Sequence, residues 1–172
     1  MLRTAINDIP RGVLLLLIQV LVLNQLDLFN GMVQPFLYIM ILLLLPFETP
    51  NWVSMLIGLV CGLIMDLFTF TPGMHTSACI TLSFARPGVL RMLSPRDGYE
   101  FGMQPTLGHM GAQWYFVYAG TLALIHHLWL FSIEVLRFDL LPSVFLRTAL
   151  SAIATVSLLF VVQLLFFRVV KK

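Results

Sequence analysis

The residues able to do chemistry in this chain are few and lie apart. Asp66 stands near the end of an apolar stretch, four residues after Gly62, with His75 beyond the turn at Pro72-Gly73. A carboxylate and an imidazole on either side of a turn can pair, and a carboxylate inside an apolar bundle can serve an ion-linked switch, though not catalysis by itself. Glu134, Arg137, Asp139 and Arg147 form a second group, of mixed charge. His126 and His127 are adjacent, so on a helix they point about 100° apart and cannot both ligate one metal ion without help from elsewhere. Leu130 and Phe131 occupy the positions where a third ligand would share their face. No metal site is therefore expected, and one histidine should face the interior through a hydrogen bond. Cys61 and Cys79 fall inside apolar runs, where they read as small soft hydrophobes rather than a disulfide.

The familiar catalytic signatures are missing. The sequence has no phosphate-binding glycine loop, no C-x-x-C, no H-E-x-x-H and no G-x-S-x-G. Its eight acidic residues are scattered and form no carboxylate pair. Neither an enzyme, a cofactor nor a nucleic-acid partner is expected.

The elements that carry these residues are set by composition. The chain has 172 residues, 59% hydrophobic and 10% charged, with a mean hydropathy of +0.95. Globular domains carry roughly 25% charged residues. A deficit spread over the whole length excludes a soluble core and makes lipid the main solvent. The reading is an all-α integral membrane protein, a six-transmembrane-helix bundle forming one polytopic domain over 1–172. The spans fall at about 10–29, 32–47, 52–69, 74–90, 114–136 and 143–167, with a polar loop at about 91–113. The first two runs are short and read as full, tilted, shallow or partly re-entrant spans. Arg3, Arg11 and Val13–Leu23 imitate a signal peptide, but Asn24, Gln25, Leu26 and Asp27 lack the small-residue cleavage pair, so an uncleaved first span is expected. Pro35 falls in the first turn of the second span, where proline is tolerated. Trp52 sits where an indole meets the headgroups.

Charge gives the orientation. With six spans and a cytoplasmic N-terminus, Arg3, Arg11, Arg86, Arg91, Arg96, Arg168, Lys171 and Lys172 lie inside and only Arg137 and Arg147 outside. Eight against two obeys the positive-inside rule and places both termini in the cytoplasm. Arg86, Arg91 and Arg96 then read as inner-leaflet anchors, or as contacts for an acidic cytoplasmic partner.

Within that frame each candidate has two readings. Asp66 is either a partner contact or ion-linked switch, or an interfacial residue capping the turn before Pro72. Gly58 and Gly62 form a G-x-x-x-G pair for close helix approach, within the chain or by self-association. His75 either pairs with Asp66 across the turn or is an interfacial polar residue. Glu134, Arg137, Asp139 and Arg147 either close the bundle by ion pairing or dock another protein.

The Pro46–Pro50 turn, then Gly58, Gly62-Leu63, Asp66 and Gly73-Met74-His75, resemble the rod shape-determining MreD family, which ends a central helix in a GLxxD pattern before a Pro/Gly turn. The length and six-span plan are similar too, whereas the loop over Arg91–Gln113 and the His126-His127 pair have no counterpart in the family's pattern. The resemblance implies a non-enzymatic scaffold of the bacterial cytoplasmic (inner) membrane. Its partners would be the lipid bilayer, an MreC-like bitopic protein and, through it, MreB and the synthases of lateral peptidoglycan. It also implies a fold similar to the substrate-binding subunits of energy-coupling-factor transporters. The alternative is therefore a small-molecule, vitamin-like binding subunit, with an orphan transporter or channel as a third reading. A binding subunit needs convergent polar groups at its outer end, and the outer segments look short and poor in them outside Asp27–Gln34 and Glu134–Asp139. A channel needs a polar helical face, and the helices look almost wholly aliphatic or aromatic. A scaffold needs only packing faces, at Gly58, Gly62, Asp66, Gly73 and His75.

Overall fold

The computed structural model describes residues 2–135 and 140–166, with the side chains of 9–135 and 140–165. The helices in chain order are α1 (Leu2–Leu21), α2 (Met40–Leu43), α3 (Asn51–Thr69), α4 (Met74–Met92), α5 (Leu107–Met110), α6 (Ala112–Val135) and α7 (Leu141–Phe166). Short 3-10 turns cover Leu23–Gln25 and Leu37–Ile39, and there is no strand among the described residues beyond an isolated bridge between Leu28 and Val33. Three of the described helices, α3, α6 and α7, are long and apolar enough to cross a membrane.

Their faces are those of a protein solvated by lipid. In α3 the buried residues are Ser54, Gly58, Cys61, Gly62, Met65 and Asp66, a single stripe at helical spacing. The opposite face exposes Leu56, Val60, Leu63 and Leu67. In α7 the buried stripe holds Thr148, Ser151, Thr155 and Gln163, while Phe145, Leu146, Ile153 and Leu164 face outward. Small and polar residues inside with large apolar ones outside invert the pattern of a soluble bundle, and in water such faces would aggregate.

Helix α3 packs on α4, α4 on α6, and α6 on α7. One end of the bundle gathers the C-terminus of α1, the α3–α4 turn, the C-terminus of α6 and the N-terminal part of α7; Arg147 of α7 reaches the Gly31 carbonyl there. The other end gathers the N-terminus of α3, the C-terminus of α4 and the start of α6. There Trp114 donates to the Leu93 carbonyl and Leu107 N donates to Gln163 near the end of α7. These are called the Asp66 end and the Arg91 end below.

Helices α3, α4, α6 and α7 match the expected spans to within two residues. The first two do not. Helix α1 ends at Leu21 rather than near 29: a 3-10 turn over Leu23–Gln25 follows it, Leu26 is extended (φ −84°, ψ 111°), and Phe29, Asn30 and Gly31, all with positive φ (53°, 55° and 75°), turn the chain back. The expected helix at 32–47 is not a helical span at all. Proline has no N–H and forces the residue before it to be extended, so Pro35 keeps Gln34 out of a helix and Pro46 stops one at the far side, while Phe36 is itself non-helical (φ −112°, ψ 88°). Only a 3-10 turn and the single turn of α2 fit between them. This segment is nonetheless the most buried stretch among the described residues, with Phe36 to Met40, Leu42 and Leu43 all at 5% exposure or less.

Candidate functional site

Placing an irregular backbone at the centre of an apolar bundle raises a strict requirement. Each unpaired N–H or C=O there costs several kcal/mol unless protein groups satisfy it. Side chains from four helices do so. Gln34 N donates to Ser151 Oγ at 3.0 Å and Phe36 N to Thr155 Oγ1 at 3.0 Å, both on α7. Gln19 of α1 clasps the bend around Pro35, its Nε2 donating to the Pro35 carbonyl and its Oε1 accepting from Leu37 N. Toward the Arg91 end, Tyr118 of α6 donates to the Leu43 carbonyl at 2.9 Å. Arg86 of α4 donates to the Leu45 and Pro46 carbonyls and, through Nε, to the Tyr118 hydroxyl.

Arg86 is thus no inner-leaflet anchor. It is 2% exposed and spends its guanidinium on the core segment. Arg91 and Arg96 are exposed at the end of α4 and in the loop after it. The expectation of helices almost wholly aliphatic or aromatic also fails, in α7. Thr148, Ser151, Thr155 and Gln163 recur at helical spacing in the sequence, and that periodicity was the signal that could have found the polar face.

The two adjacent histidines straddle the core segment, and both are fully buried. His126 Nε2 lies 2.8 Å from the Tyr38 hydroxyl, which also lies 3.0 Å from His75 Nδ1. Tyr38 therefore ties α4 to α6 through the core segment, donating to one ring and accepting from the other. His127 Nδ1 lies 2.7 Å from the Ala123 carbonyl, which can only accept, so that nitrogen carries the proton. His127 Nε2 lies 3.2 Å from Thr155 Oγ1 and 3.3 Å from the Gln34 carbonyl oxygen, joining α6 to α7 and to the core segment. Phe36 packs edge-on to His75 and His126. No group of three or more metal-ligating side chains occurs among the described residues.

At the α3–α4 turn, Asp66 works through its hydrogen bonds. One carboxylate oxygen accepts from His75 N (2.9 Å) and Thr71 Oγ1 (3.1 Å), the other from Gly73 N, Thr76 N and Thr76 Oγ1. Three of these donors are the otherwise orphaned N–H groups where α4 begins. The carboxylate is the cap of the next helix, supplied from the previous one. His75 meets it through the main chain, while its ring turns to Tyr38. Gly73 is exposed and a Cβ there would meet nothing within 4 Å, so it serves the turn through its φ of +86° rather than as a packing face. Gly58 and Gly62 do pack. A Cβ on Gly62 would lie 2.7 Å from Thr76 N and nearer still to Thr76 Cα, and one on Gly58 would lie 3.0 Å from the Cys79 carbonyl oxygen. The glycine pair is spent inside the chain, against α4.

Glu134 and Arg147 form an ion pair of 3.0 Å between α6 and α7. Arg147 also donates to the Gly31 carbonyl and lies over the Phe131 ring, 4.3 Å from its centroid. Arg137 and Asp139 lie outside the described residues. The Asp66 end is richer in polar groups than its sequence suggested. Gln19, Asn24, Gln34, Thr69, Thr71, His75 and Glu134 converge there on a cavity of about 330 Å³.

No protein family, curated protein or solved structure matches the chain.

Proposed function

We propose that the protein is a non-enzymatic membrane scaffold of the bacterial cell-elongation machinery, similar in role to the MreD family. In this reading the chain crosses the cytoplasmic membrane six times, the core segment being the second crossing, with both termini and the loop after α4 in the cytoplasm. It acts by holding an MreC-like bitopic protein in the bilayer, and through it MreB and the synthases of lateral peptidoglycan, so that the cell grows as a rod.

The observation that carries this reading is the filled interior. The centre of the bundle is occupied by the protein's own chain from Phe36 to Leu43, and the polar side chains around it are used on that chain's backbone. Such a core makes a rigid body whose remaining surface is apolar and suited to other membrane helices. The GLxxD and Pro/Gly residues of the resemblance acquire a structural task in the Asp66 cap, which keeps α3 and α4 as one rigid hairpin.

Purification in mild detergent tests the proposal. A bitopic partner with a large periplasmic domain should co-purify, and depletion should turn rods into spheres. Recovery of an ATPase pair instead, with cell shape unchanged on depletion, would refute it. Orientation is checked on the same material. Cys61 and Cys79 are buried, so a cysteine introduced at Ser94 gives a clean signal and should resist an impermeant thiol reagent added outside intact cells.

A further inference from the structure

We propose that the cavity at the Asp66 end binds a small uncharged amide, its carbonyl oxygen accepting from His75 Nε2 and its N–H groups donating to the side-chain oxygen of Gln34. The inference stands apart from the scaffold reading and does not depend on it.

At about 330 Å³ the cavity falls at the lower limit of small-molecule sites. Its mouth lies at Leu26 and Glu134, both exposed, and its floor at Phe36, His75 and Leu130, all 5% exposed or less. Most of its polar groups are already committed. Gln19, Thr69 and Thr71 hydrogen-bond within the protein, Asn24 Nδ2 is sealed from the cavity, and Glu134 is paired with Arg147. Two groups remain. His75 spends Nδ1 on Tyr38, while its Nε2 has no partner among the described residues and, unlike His126 Nδ1, is not closed off by protein. The side-chain amide of Gln34 has no partner among them either. A polar group left unpaired at a buried position is costly, so an occupant that pairs His75 Nε2 stabilises the protein.

The hydrogen-bond chain behind His75 fixes what its ring offers. His126 Nδ1 is buried with no partner, and an orphaned lone pair is tolerated better than an orphaned N–H. His126 therefore carries its proton on Nε2 and donates to the Tyr38 hydroxyl, and Tyr38 donates in turn to His75 Nδ1. His75 is left with an N–H at Nε2, which needs an acceptor. Charge narrows the class further. An anion would meet no countercharge, with the Glu134 carboxylate in the wall and Asp66 bonded to the main chain of His75. A cation would face a donor at His75 and a carboxylate already neutralised by Arg147. Taking either from water without a partner charge is costly, so the occupant is uncharged. An amide supplies the acceptor for His75 and a donor for Gln34, and Leu23, Pro35 and Met74 give apolar wall for its body.

The test uses the whole protein in detergent and four probes of one shape: benzamide, benzoate, benzamidine and acetophenone. In equilibrium dialysis at neutral pH benzamide should bind saturably, with benzoate and benzamidine at least about tenfold weaker. Acetophenone, which keeps the carbonyl and lacks the amide nitrogen, should be about fivefold weaker, the worth of one net hydrogen bond. Gln34→Leu should lower benzamide to the level of acetophenone and leave acetophenone unchanged. The main-chain contacts of Gln34 with Ser151 and His127 survive that substitution. With labelled histidine, bound benzamide should show a nuclear Overhauser contact to one imidazole. His126 and His127 are fully buried and His109 lies at the Arg91 end, so that ring is His75. Met74→Trp, which fills the cavity, should abolish saturable uptake without lowering the unfolding temperature; should stability fall, the Gln34→Leu series decides alone. Equal uptake of all four probes, a preference for either charged probe, benzamide uptake that Gln34→Leu leaves unchanged, or the lack of a histidine contact overturns the proposal.

Discussion

Substituting Gly62 by alanine tests the α3–α4 hairpin with the smallest perturbation available. The added Cβ would lie 2.7 Å from Thr76 N and 2.9 Å from the His75 carbonyl oxygen, with Thr76 Cα closer still. All three are main-chain atoms of α4, so no side chain can rotate away. Non-bonded carbon contacts settle at about 3.5–4.0 Å, so the two backbones must part by roughly 1 Å. Overpacking of this kind costs about 1–3 kcal/mol. The parting also stretches the Asp66 bonds to Gly73, His75 and Thr76, which sit one turn further on, while alanine returns up to about 1 kcal/mol of helix propensity. The net loss should be about 2 kcal/mol, read by equilibrium denaturation in mixed micelles. Controls lie in the same bundle. Gly58→Ala meets Ser83 Oγ, a rotatable hydroxyl, and the Cys79 carbonyl, so it should cost less. Gly88→Ala and Gly120→Ala meet nothing within 4 Å and should be neutral or slightly stabilising. If Gly62→Ala were as stable as Gly88→Ala, close α3–α4 contact would not be what the glycine provides, and the reasoning would fail.

Two further substitutions separate structural tasks from the roles their residue types suggest. Asp66→Ala leaves the main-chain donors of Gly73, His75 and Thr76 unmet and should cost about 3 kcal/mol or more, with Asp66→Asn intermediate because its amide nitrogen faces donors; thermal unfolding in detergent reads both, and a neutral Asp66→Ala would mean the cap is dispensable. Arg86→Lys keeps the charge but cannot reach the Tyr118 hydroxyl and the Leu45 and Pro46 carbonyls together, so it should destabilise by about 2 kcal/mol, whereas Arg91→Lys should be silent. Equal tolerance of the two changes in the same unfolding assay would return Arg86 to the membrane surface.

The core segment explains why polar residues accumulate where the chain is otherwise most apolar. Ser151, Thr155, Gln19 and Tyr118 each satisfy a backbone group that a regular helix would have satisfied by itself. Once those partners are in place, the irregular segment brings Tyr38 between His75 and His126 and Phe36 against both rings. The histidine pair then has a structural account in the bundle centre, and neither ring needs a metal to explain its burial.

What the sequence determined by itself was local. Hydropathy and the deficit of charge set the surroundings of the chain. Glycine and proline positions, with the lengths of the apolar runs, located α3, α4, α6 and α7 to within two residues, and the spacing of Gly58, Gly62 and Asp66 put them on one face. Each of these depends on interactions a few residues apart. The tertiary structure alone decided the path of residues 34–47, the burial of Arg86 and the use of Asp66 as a cap. A backbone interrupted by Pro35 and Pro46 is tolerable in an apolar medium only if distant side chains complete it, and its partners stand from 16 to 119 residues away in the sequence. Hydrophobic periodicity carries no record of such pairings, so the segment read as one more helix when it is an irregular stretch around which the bundle is packed.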